Sequence, residues 1–125
     1  MLNIMVVDDS TIIRRILKKE LIQMGHNVVA EAKSGKEAIE LYKKFLPDLV
    51  TMDITMPIMS GIDALKRIIK VYKDANIIMI TSHGEETLVM DAIVSGAKGY
   101  VLKPITTIAV ELAINKVFPT EKTDL

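Results

Sequence analysis

The sequence has no cysteine, few aromatic residues and no net charge. Without cysteine, a disulfide, a thiolate metal site and a thiol nucleophile are all excluded. Only 4 % of the residues are aromatic, which is too few for a surface that stacks nucleic-acid bases. Lys plus Arg and Asp plus Glu both total 16, whereas a nucleic-acid-binding domain usually carries a basic excess. We therefore expect no nucleic-acid partner.

Long hydrophobic runs are missing as well. No apolar stretch approaches the roughly 18 residues of a membrane span, and the N-terminus has no basic flank typical of a secretory signal. We expect a soluble cytoplasmic protein that does not contact a membrane. The length of 125 residues suits one domain, and a composition that is 50 % hydrophobic and 26 % charged is typical of a folded one.

Five short apolar runs alternate with five amphipathic stretches along the chain. The runs are rich in Ile and Val and lie at Ile4–Val7, Val28–Ala30, Leu49–Met52, Ile77–Ile80 and Tyr100–Leu102. Runs without polar alternation are typical of strands buried on both faces of a parallel sheet. The alternation predicts an α/β fold in which helices cross between parallel strands.

The amphipathic stretches predict five helices. We expect them over Ser10–Met24, from Ser34 to before Pro47, from Ser60, over about Glu85–Ser95, and from near Thr106. Apolar spacing predicts that six side chains face the sheet from the last two helices: Leu88, Ala92, Ile93, Ile108, Leu112 and Ala113. Four basic residues of the first helix are expected on a solvated face, with a kinase-docking patch as the alternative: Arg14, Arg15, Lys18 and Lys19. We expect Gly61 to permit the turn into the third helix.

Chemically active residues follow four of the five predicted strands. They are Asp8 and Asp9, Asp53, Thr81 and Ser82, and Lys103. Ligands of open parallel sheets gather at the carboxyl ends of the strands. Three carboxylates close together need a compensating cation, and oxygen ligands without His or Cys suit Mg²⁺. A lysine can bind a phosphoryl oxygen and an aspartate can accept a phosphoryl group, so the sequence predicts a magnesium-assisted phosphoryl-transfer site.

Four motifs resemble the response-regulator receiver domain. They are Val6-Val7-Asp8-Asp9-Ser10, Met52-Asp53-Ile54-Thr55-Met56-Pro57-Ile58-Met59-Ser60-Gly61, Thr81-Ser82-His83-Gly84 and Lys103-Pro104. The match covers essentially residues 2–118 in the family's order, and it is most similar to the chemotaxis CheY type. It implies a doubly wound, five-stranded, flavodoxin-like (βα)5 sheet with order 2-1-3-4-5 in a three-layer sandwich. The receiver domain would span residues 1–118, with a tail at 119–125 and no output domain.

The resemblance implies a role for each matching residue at the acidic site. Asp53 would be the phosphoacceptor. Mg²⁺ would be held by Asp8, Asp9, Asp53 and the backbone carbonyl of Thr55, and Lys103 would contact the phosphoryl group.

The resemblance also implies roles in the conformational switch that follows phosphorylation. Thr81 would hydrogen-bond to the phosphoryl group once it has formed, and Tyr100 would turn inward as Thr81 moves. His83 lies two residues after Thr81 and would tune dephosphorylation. The peptide bond before Pro104 is expected to be cis.

The implied function is a phosphorylation-activated switch of a two-component system. It would accept a phosphoryl group from a CheA-like histidine kinase, then bind a motor switch or motility adaptor protein through the fourth helix, fifth strand and fifth helix. The domain would be a monomer. It would catalyse only its own phosphorylation and dephosphorylation, so it would not be a turnover enzyme. Because the fourth helix carries Glu85, Glu86 and Asp91, we expect positive charge on the partner.

Other interpretations stay open for the same residues. The aspartates at 8 and 9 could cap the first helix, Thr81 and Ser82 could cap the fourth, and Tyr100 could be ordinary packing. A phosphorelay intermediate, or a regulator outside motility, would use the same fold. A haloacid-dehalogenase phosphatase would need a second aspartate where Thr55 stands. An FMN-binding flavodoxin would need a hydroxyl-rich loop after the first strand, where this chain has two acids.

Overall fold

The computed structural model describes residues 1–119, which form a five-stranded parallel sheet in the order β2-β1-β3-β4-β5. In chain order the elements are β1 (Asn3–Val7), α1 (Thr11–Gln23), β2 (Asn27–Ala32), α2 (Gly35–Phe45), β3 (Leu49–Asp53), α3 (Gly61–Val71), β4 (Ile77–Thr81), α4 (Glu86–Val94), β5 (Gly99–Leu102) and α5 (Thr107–Val117). The predicted flavodoxin-like fold and its strand order are confirmed. Of the predicted tail, all but residue 119 lies outside the described residues.

The sheet separates two hydrophobic clusters because successive strand residues point to opposite faces. On one face Met5 and Val7 of β1 pack with α2, α3 and α4. On the other face Ile4 and Val6 pack with α1 and α5. The central strands β3 and β4 are buried along their whole length, which is why their sequences show no polar alternation. The result is the predicted three-layer arrangement.

Within residues 1–119, side-chain caps begin four of the five helices. The hydroxyls of Ser10, Ser34, Ser60 and Thr106 each accept a hydrogen bond from the backbone N–H three residues later. Helix α4 differs, because its N-cap residue is Glu85 and no side-chain cap bond is present there within residues 1–119. Neither Thr81 nor Ser82 caps α4, so their side chains are available for contacts outside the helix.

The predicted inward faces of α4 and α5 are partly wrong. Val89 and Ala92 of α4 are buried, whereas Leu88 and Ile93 are exposed. In α5 the buried side chains are Val110, Ala113 and Ile114, while Ile108 and Leu112 are exposed. Both helices are apolar around much of their circumference, so their spacing did not specify a single face. Packing against β4 and β5 selected one face and left apolar side chains in water.

The basic face of α1 also differs from the prediction at one residue. The side chain of Arg14 is only 14 % exposed and points back toward the end of β1. No helix within residues 1–119 has the length and apolar character needed to cross a membrane.

Candidate functional site

The functional side chains lie where four parallel strands end. Asp8 directly follows β1, Asp53 is the last residue of β3, Thr81 is the last residue of β4, and Lys103 directly follows β5. The strand register aligns these ends, with Asp53 beside Ile80 and Thr81 beside Leu102. Because neighbouring parallel strands end at the same edge, residues distant in sequence meet there.

Three carboxylates form the acidic part of the site. One oxygen from each of Asp8, Asp9 and Asp53 lies within 4.8 Å of the others. Asp8 is fully buried and Asp53 is 6 % exposed, whereas Asp9 is open to solvent. A set of hard oxygen ligands with one solvent-facing member is the arrangement that suits Mg²⁺, which keeps several of its waters.

A buried oxygen without a hydrogen-bond partner supports the same interpretation. Oδ1 of Asp8 accepts a hydrogen bond from the Ser10 N–H at 2.9 Å. Oδ2 of Asp8 is buried and has no hydrogen-bond partner among residues 1–119. An unsatisfied buried carboxylate oxygen is costly, and a bound cation would satisfy it. The residues present therefore fit a magnesium ion.

Lys103 supplies the positive charge of the site. Its Nζ lies 3.4 Å from Oδ1 of Asp53 and 3.6 Å from Oδ2 of Asp8. The Lys103 N–H donates to the carbonyl of Thr81 at 2.7 Å, and the Lys103–Pro104 peptide bond is cis. Burial alone would lower the pKa of the lysine, but the charges of Asp53 and Asp8 raise it above its ordinary value. Lys103 is consequently a permanent cation facing both carboxylates.

The phosphoacceptor candidate has the most perturbed carboxyl group. Burial, and then the charge of Asp8, raise the pKa of Asp53 from 3.8 to about 7, although Lys103 acts in the opposite direction. Burial is also the main cause that raises the pKa of Asp8 above its ordinary value. Without a metal ion, one lysine does not neutralise the site, so protons and divalent cations compete for it.

Arg14 is a site residue that sequence reasoning missed. Its Nη1 donates to the backbone carbonyl of Asp8 at 2.6 Å, and its Nε lies 3.5 Å from a carboxylate oxygen of Glu31 on β2. The arginine thereby ties the loop that carries both aspartates to the edge of the sheet. A basic residue in a helix has no sequence pattern that distinguishes this inward position from a solvated one.

Glu85 is the second missed residue. Its Oε1 accepts hydrogen bonds from the Thr81 hydroxyl at 3.0 Å and from the Ser82 N–H at 2.5 Å. Its Oε2 accepts a hydrogen bond from the Thr55 hydroxyl at 2.5 Å. The spacing of Ser82 and Glu85 matches that of a capping box and could have indicated a carboxylate reaching back to the Ser82 N–H.

Gly61 is required for a different reason than the one predicted. Its backbone is not in the left-handed region, so conformational freedom is not what the position needs. A Cβ at this position would lie 1.8 Å from the carbonyl oxygen of Asp53, and the Gly61 N–H donates to the Ile54 carbonyl at 2.7 Å. The start of α3 therefore packs directly on the backbone of Asp53, and only glycine leaves the space.

The residues with predicted switching or tuning roles lie on β4 and β5 and in the loops after β3 and β4. Tyr100 is 55 % exposed and lines a groove of about 310 Å³ together with Thr81 and Met90. Thr81 itself is buried. Thr55 and His83 lie in the exposed loops after β3 and β4. Thr81, Thr55 and His83 lie at or just after the carboxyl ends of β3 and β4, whereas Tyr100 lies within β5 beside Met79. The roles of all the predicted site residues stay predictions.

Comparisons with known proteins agree with this geometry. The family model described as the response regulator receiver domain matches residues 4–115. Among curated proteins, the chemotaxis protein CheY of Bacillus subtilis is 49 % identical over 113 residues, which cover 90 % of this chain and 94 % of that protein. The chemotaxis protein CheY of Thermotoga maritima is 45 % identical over 114 residues, covering 91 % and 95 % respectively.

A solved structure is similar over nearly the same length. It is the complex of CheX, CheY, beryllofluoride and magnesium from Borrelia burgdorferi, matched with a TM-score of 0.90 and 38 % identity. The alignment covers 94 % of this chain and 90 % of the matched one. Sequence and fold thus point to the same family.

Proposed function

This chain belongs to the response regulator receiver family and is of the CheY type, and we propose that it is a switch activated by phosphorylation of Asp53. The observation that carries the proposal is the Nζ of Lys103 lying 3.4 Å from Asp53 within a cluster of three carboxylates. The family membership is consistent with two-component signalling in chemotaxis.

The proposed chemistry is transfer of a phosphoryl group from a histidine kinase. An oxygen of Asp53 would form a bond to phosphorus as the P–N bond of a phosphohistidine breaks, and the electron pair of that bond would remain on the imidazole. Such a transfer needs positioning and charge stabilisation more than covalent machinery. Lys103 would contact an equatorial oxygen, and its contact with the acceptor carboxylate at 3.4 Å supports this role.

The acidic residues would hold the metal ion that this chemistry uses. Asp8, Asp9, Asp53 and the backbone carbonyl of Thr55 are the proposed ligands of Mg²⁺. When bound, the ion would neutralise the carboxylates and part of the phosphoryl charge. Asp8 would also be kept ionised by that binding, because burial otherwise raises its pKa and favours its protonated form.

The proposed response is carried by Thr81 and Tyr100. A phosphoryl group adds about −1.5 to −2 charge and strong acceptor oxygens, which would attract the Thr81 hydroxyl. Movement of Thr81 toward Asp53 would change the groove that it shares with Tyr100, and the ring of Tyr100 could then turn inward. His83 would tune the loss of the phosphoryl group from its position in the loop after β4.

The proposed docking surface for an output protein is formed by α4, β5 and α5. Exposed apolar side chains are concentrated there, including Met90, Val94, Tyr100, Ile108 and Leu112. An exposed apolar patch is typical of a protein-binding site. The expected positive charge of the partner is less well supported, because Glu85 faces the loops and Asp91 pairs with Lys66 at 3.6 Å. Lys98 and Lys116 line a second groove on the same surface.

The proposed partners are a CheA-like kinase and a motor switch or motility adaptor protein. The matched CheY structure contains CheX, beryllofluoride and magnesium, which supports a partner of that kind for this chain. We propose a monomer working in the cytoplasm, where the ATP that supplies the kinase is available. The protein would act as a switch and not as a turnover enzyme. A phosphorelay intermediate, or a regulator outside motility, remains the second candidate because its receiver chemistry would be the same.

Phosphoryl labelling tests the central proposal. Incubation with acetyl phosphate and Mg²⁺, followed by mass spectrometry, should add one phosphoryl group to the wild-type chain and none to Asp53→Asn. Asp63→Asn is a matched control, because Asp63 is an exposed carboxylate at the start of α3 and should leave labelling unchanged. Labelling that persists in Asp53→Asn, or that is unchanged when Mg²⁺ is removed by a chelator, would refute Asp53 as the magnesium-dependent phosphoacceptor.

Partner capture tests the pathway. The tagged protein would be incubated with a native lysate, with and without beryllofluoride and Mg²⁺, and bound proteins identified. Recovery of a motor or adaptor protein only in the beryllofluoride sample would support motility output. Recovery of kinases and relay proteins alone would favour the second candidate.

A further inference from the structure

The carboxylate of Glu85 lies between the two loops that border the acidic site. It accepts hydrogen bonds from Thr55, in the loop after β3, and from Thr81 and Ser82, at the end of β4. These bonds, led by that from Thr55, lower the pKa of Glu85 although burial alone would raise it. Glu85 is therefore an anion held in place by three donors.

Two of those donors are the ones a phosphoryl group on Asp53 would need. The Thr81 hydroxyl and the Ser82 N–H stand at the end of β4, whose neighbour β3 ends in Asp53. Both donate to the same oxygen, Oε1 of Glu85, at 3.0 and 2.5 Å. One carboxylate oxygen of Glu85 thus accepts from both groups.

We propose that Glu85 is an intramolecular competitor of the phosphoryl group, and that its hydrogen bonds to Thr81 and Ser82 hold the switch in its resting state. The proposal rests on the phosphorylation of Asp53 proposed above. Glu85 is a positioning residue in this scheme, since it acts on the phosphoryl group only through Thr81 and Ser82.

The competition follows from the proton count of the donors. A threonine hydroxyl carries one hydrogen, so Thr81 can donate either to Glu85 or to a phosphoryl oxygen but not to both. The Ser82 N–H is subject to the same restriction. Hydrogen bonds to ionised acceptors are stronger than neutral ones, so Glu85 must be displaced at a cost in free energy before Thr81 can move.

The contact with Thr55 extends the effect to the other loop. Thr55 lies two residues after Asp53, and its hydroxyl is joined to Oε2 of the same Glu85 carboxylate. Displacement of Glu85 would release the loops after β3 and β4 together. The resting contact therefore couples the acceptor loop to the start of α4, where the proposed docking surface begins.

Beryllofluoride binding measures this competition directly, because the reagent mimics a phosphoryl group on an aspartate. The wild-type protein and Glu85→Ala would be titrated with beryllofluoride in saturating Mg²⁺, and binding would be followed by the amide NMR signals of Thr81 and Ser82. We expect half-saturation of Glu85→Ala at a concentration about tenfold lower, since the competing charged acceptor is gone. Glu85→Gln, which keeps the size without the charge, should give an intermediate value.

Asp63→Ala provides the matched control. It removes an exposed first-turn carboxylate from a different helix at the same edge of the sheet, and half-saturation should stay within about twofold of wild type. The affinity for Mg²⁺ without beryllofluoride should also change less than about twofold in Glu85→Ala. An equal rise in both affinities would mean that Glu85 acts on the metal site, and it would overturn the proposal.

A double-mutant comparison isolates the role of Thr81. In a Thr81→Ala background the gain from Glu85→Ala should shrink to about threefold or less, because one of the two contested donors is absent. An unchanged tenfold gain would contradict competition through Thr81. Wild-type-like half-saturation in a folded Glu85→Ala protein would refute the proposal while leaving Asp53 as the acceptor. If the wild-type protein itself takes up no beryllofluoride, the proposed function and this inference both fail.

Discussion

The ammonium group of Lys103 lies 3.4 Å from a carboxylate oxygen of Asp53, although the two residues are 50 positions apart. Lys103 directly follows β5, and Asp53 is the last residue of β3. Strand β4 lies between those two strands in the sheet. The lysine side chain therefore crosses the end of β4 to reach the carboxylate. Its charge partly offsets that of two buried acids, which makes the pair central to both the stability and the chemistry of the site.

Removal of the lysine charge should impair phosphorylation. Lys103→Ala is expected to slow labelling of Asp53 by acetyl phosphate about 100-fold, because a charge that stabilises the transferring group is lost. The same change should raise the pKa of Asp53 beyond about 7, since Lys103 now lowers it. Labelling rates and carbon NMR of the Asp53 carboxyl group measure the two effects. Lys36→Ala, a change at an exposed lysine of α2, should alter neither quantity.

The stability of the metal-free protein should fall as pH rises from about 4 to 7. The pKa of Asp53 is about 7 in the folded protein and 3.8 in an unperturbed chain, so the folded state binds the proton more tightly. The stabilisation from this proton is fully present below the pKa of Asp53 in the unfolded chain. It is lost as the pH rises through the pKa of Asp53 in the folded protein. The loss in the free energy of unfolding is at most about 4 kcal/mol. Urea denaturation at a series of pH values, with chelator present, measures it.

Two changes should flatten that pH profile. Asp53→Asn removes the titrating group, so the variant should be more stable than wild type at pH 8 and about equal to it at pH 4. Mg²⁺ should restore stability to the wild-type protein at pH 8 and have little effect at pH 5, where protons compete for the same oxygens. A wild-type protein whose stability rises over this range in chelator would contradict the assigned charge balance.

Substitution of Gly61 should damage the site through the backbone. In Gly61→Ala the new Cβ would stand 1.8 Å from the carbonyl oxygen of Asp53, so the start of α3 or the end of β3 must move. We expect a loss of about 3 kcal/mol in the free energy of unfolding and weaker Mg²⁺ binding. Gly99→Ala is the matched control, because nothing lies within 4 Å of the corresponding Cβ. Equal stability of the two variants would show that α3 can shift without cost.

Arg14 should support magnesium binding without contacting the ion. Arg14→Ala removes the hydrogen bond to the Asp8 carbonyl, and the loop that carries the two metal-site acids loses its tie to Glu31. We expect about tenfold weaker Mg²⁺ binding, as measured by calorimetry. Arg15→Ala, at the exposed neighbouring residue, should bind Mg²⁺ as the wild type does. A similar loss in both variants would indicate a general effect of charge and not of positioning.

The element order could be predicted closely from local pattern. Within residues 1–119, the five strands and the starts of the five helices lie near the predicted residues, because buried strands lack polar alternation and most helices begin at Ser or Thr caps. The strand order was not accessible from periodicity and came from resemblance. Periodicity describes which face of an element is apolar, whereas order depends on which elements pack together.

The buried faces of α4 and α5 and the contacts of long polar side chains were less predictable from the sequence. Leu88 and Ile108 were expected to face the sheet but are exposed, because α4 and α5 have apolar residues on more than one face. The inward position of Arg14 and the contacts of Glu85 depend on loops that fold back on strand ends. Long polar side chains reach in several directions, so their partners are set by three-dimensional proximity.

The sequence by itself determined the residue types that follow the strands, namely three acids, a threonine and a lysine. Those types already restricted the chemistry to oxygen ligands and phosphoryl transfer, since donor atoms decide which ions and groups can bind. Only the tertiary structure decided that one lysine serves two buried carboxylates, that Gly61 must leave room for the Asp53 backbone, and that Glu85 occupies the donors of β4. The physical reason is that charge, burial and competition for a proton act over a few ångströms, and the parallel sheet creates those distances.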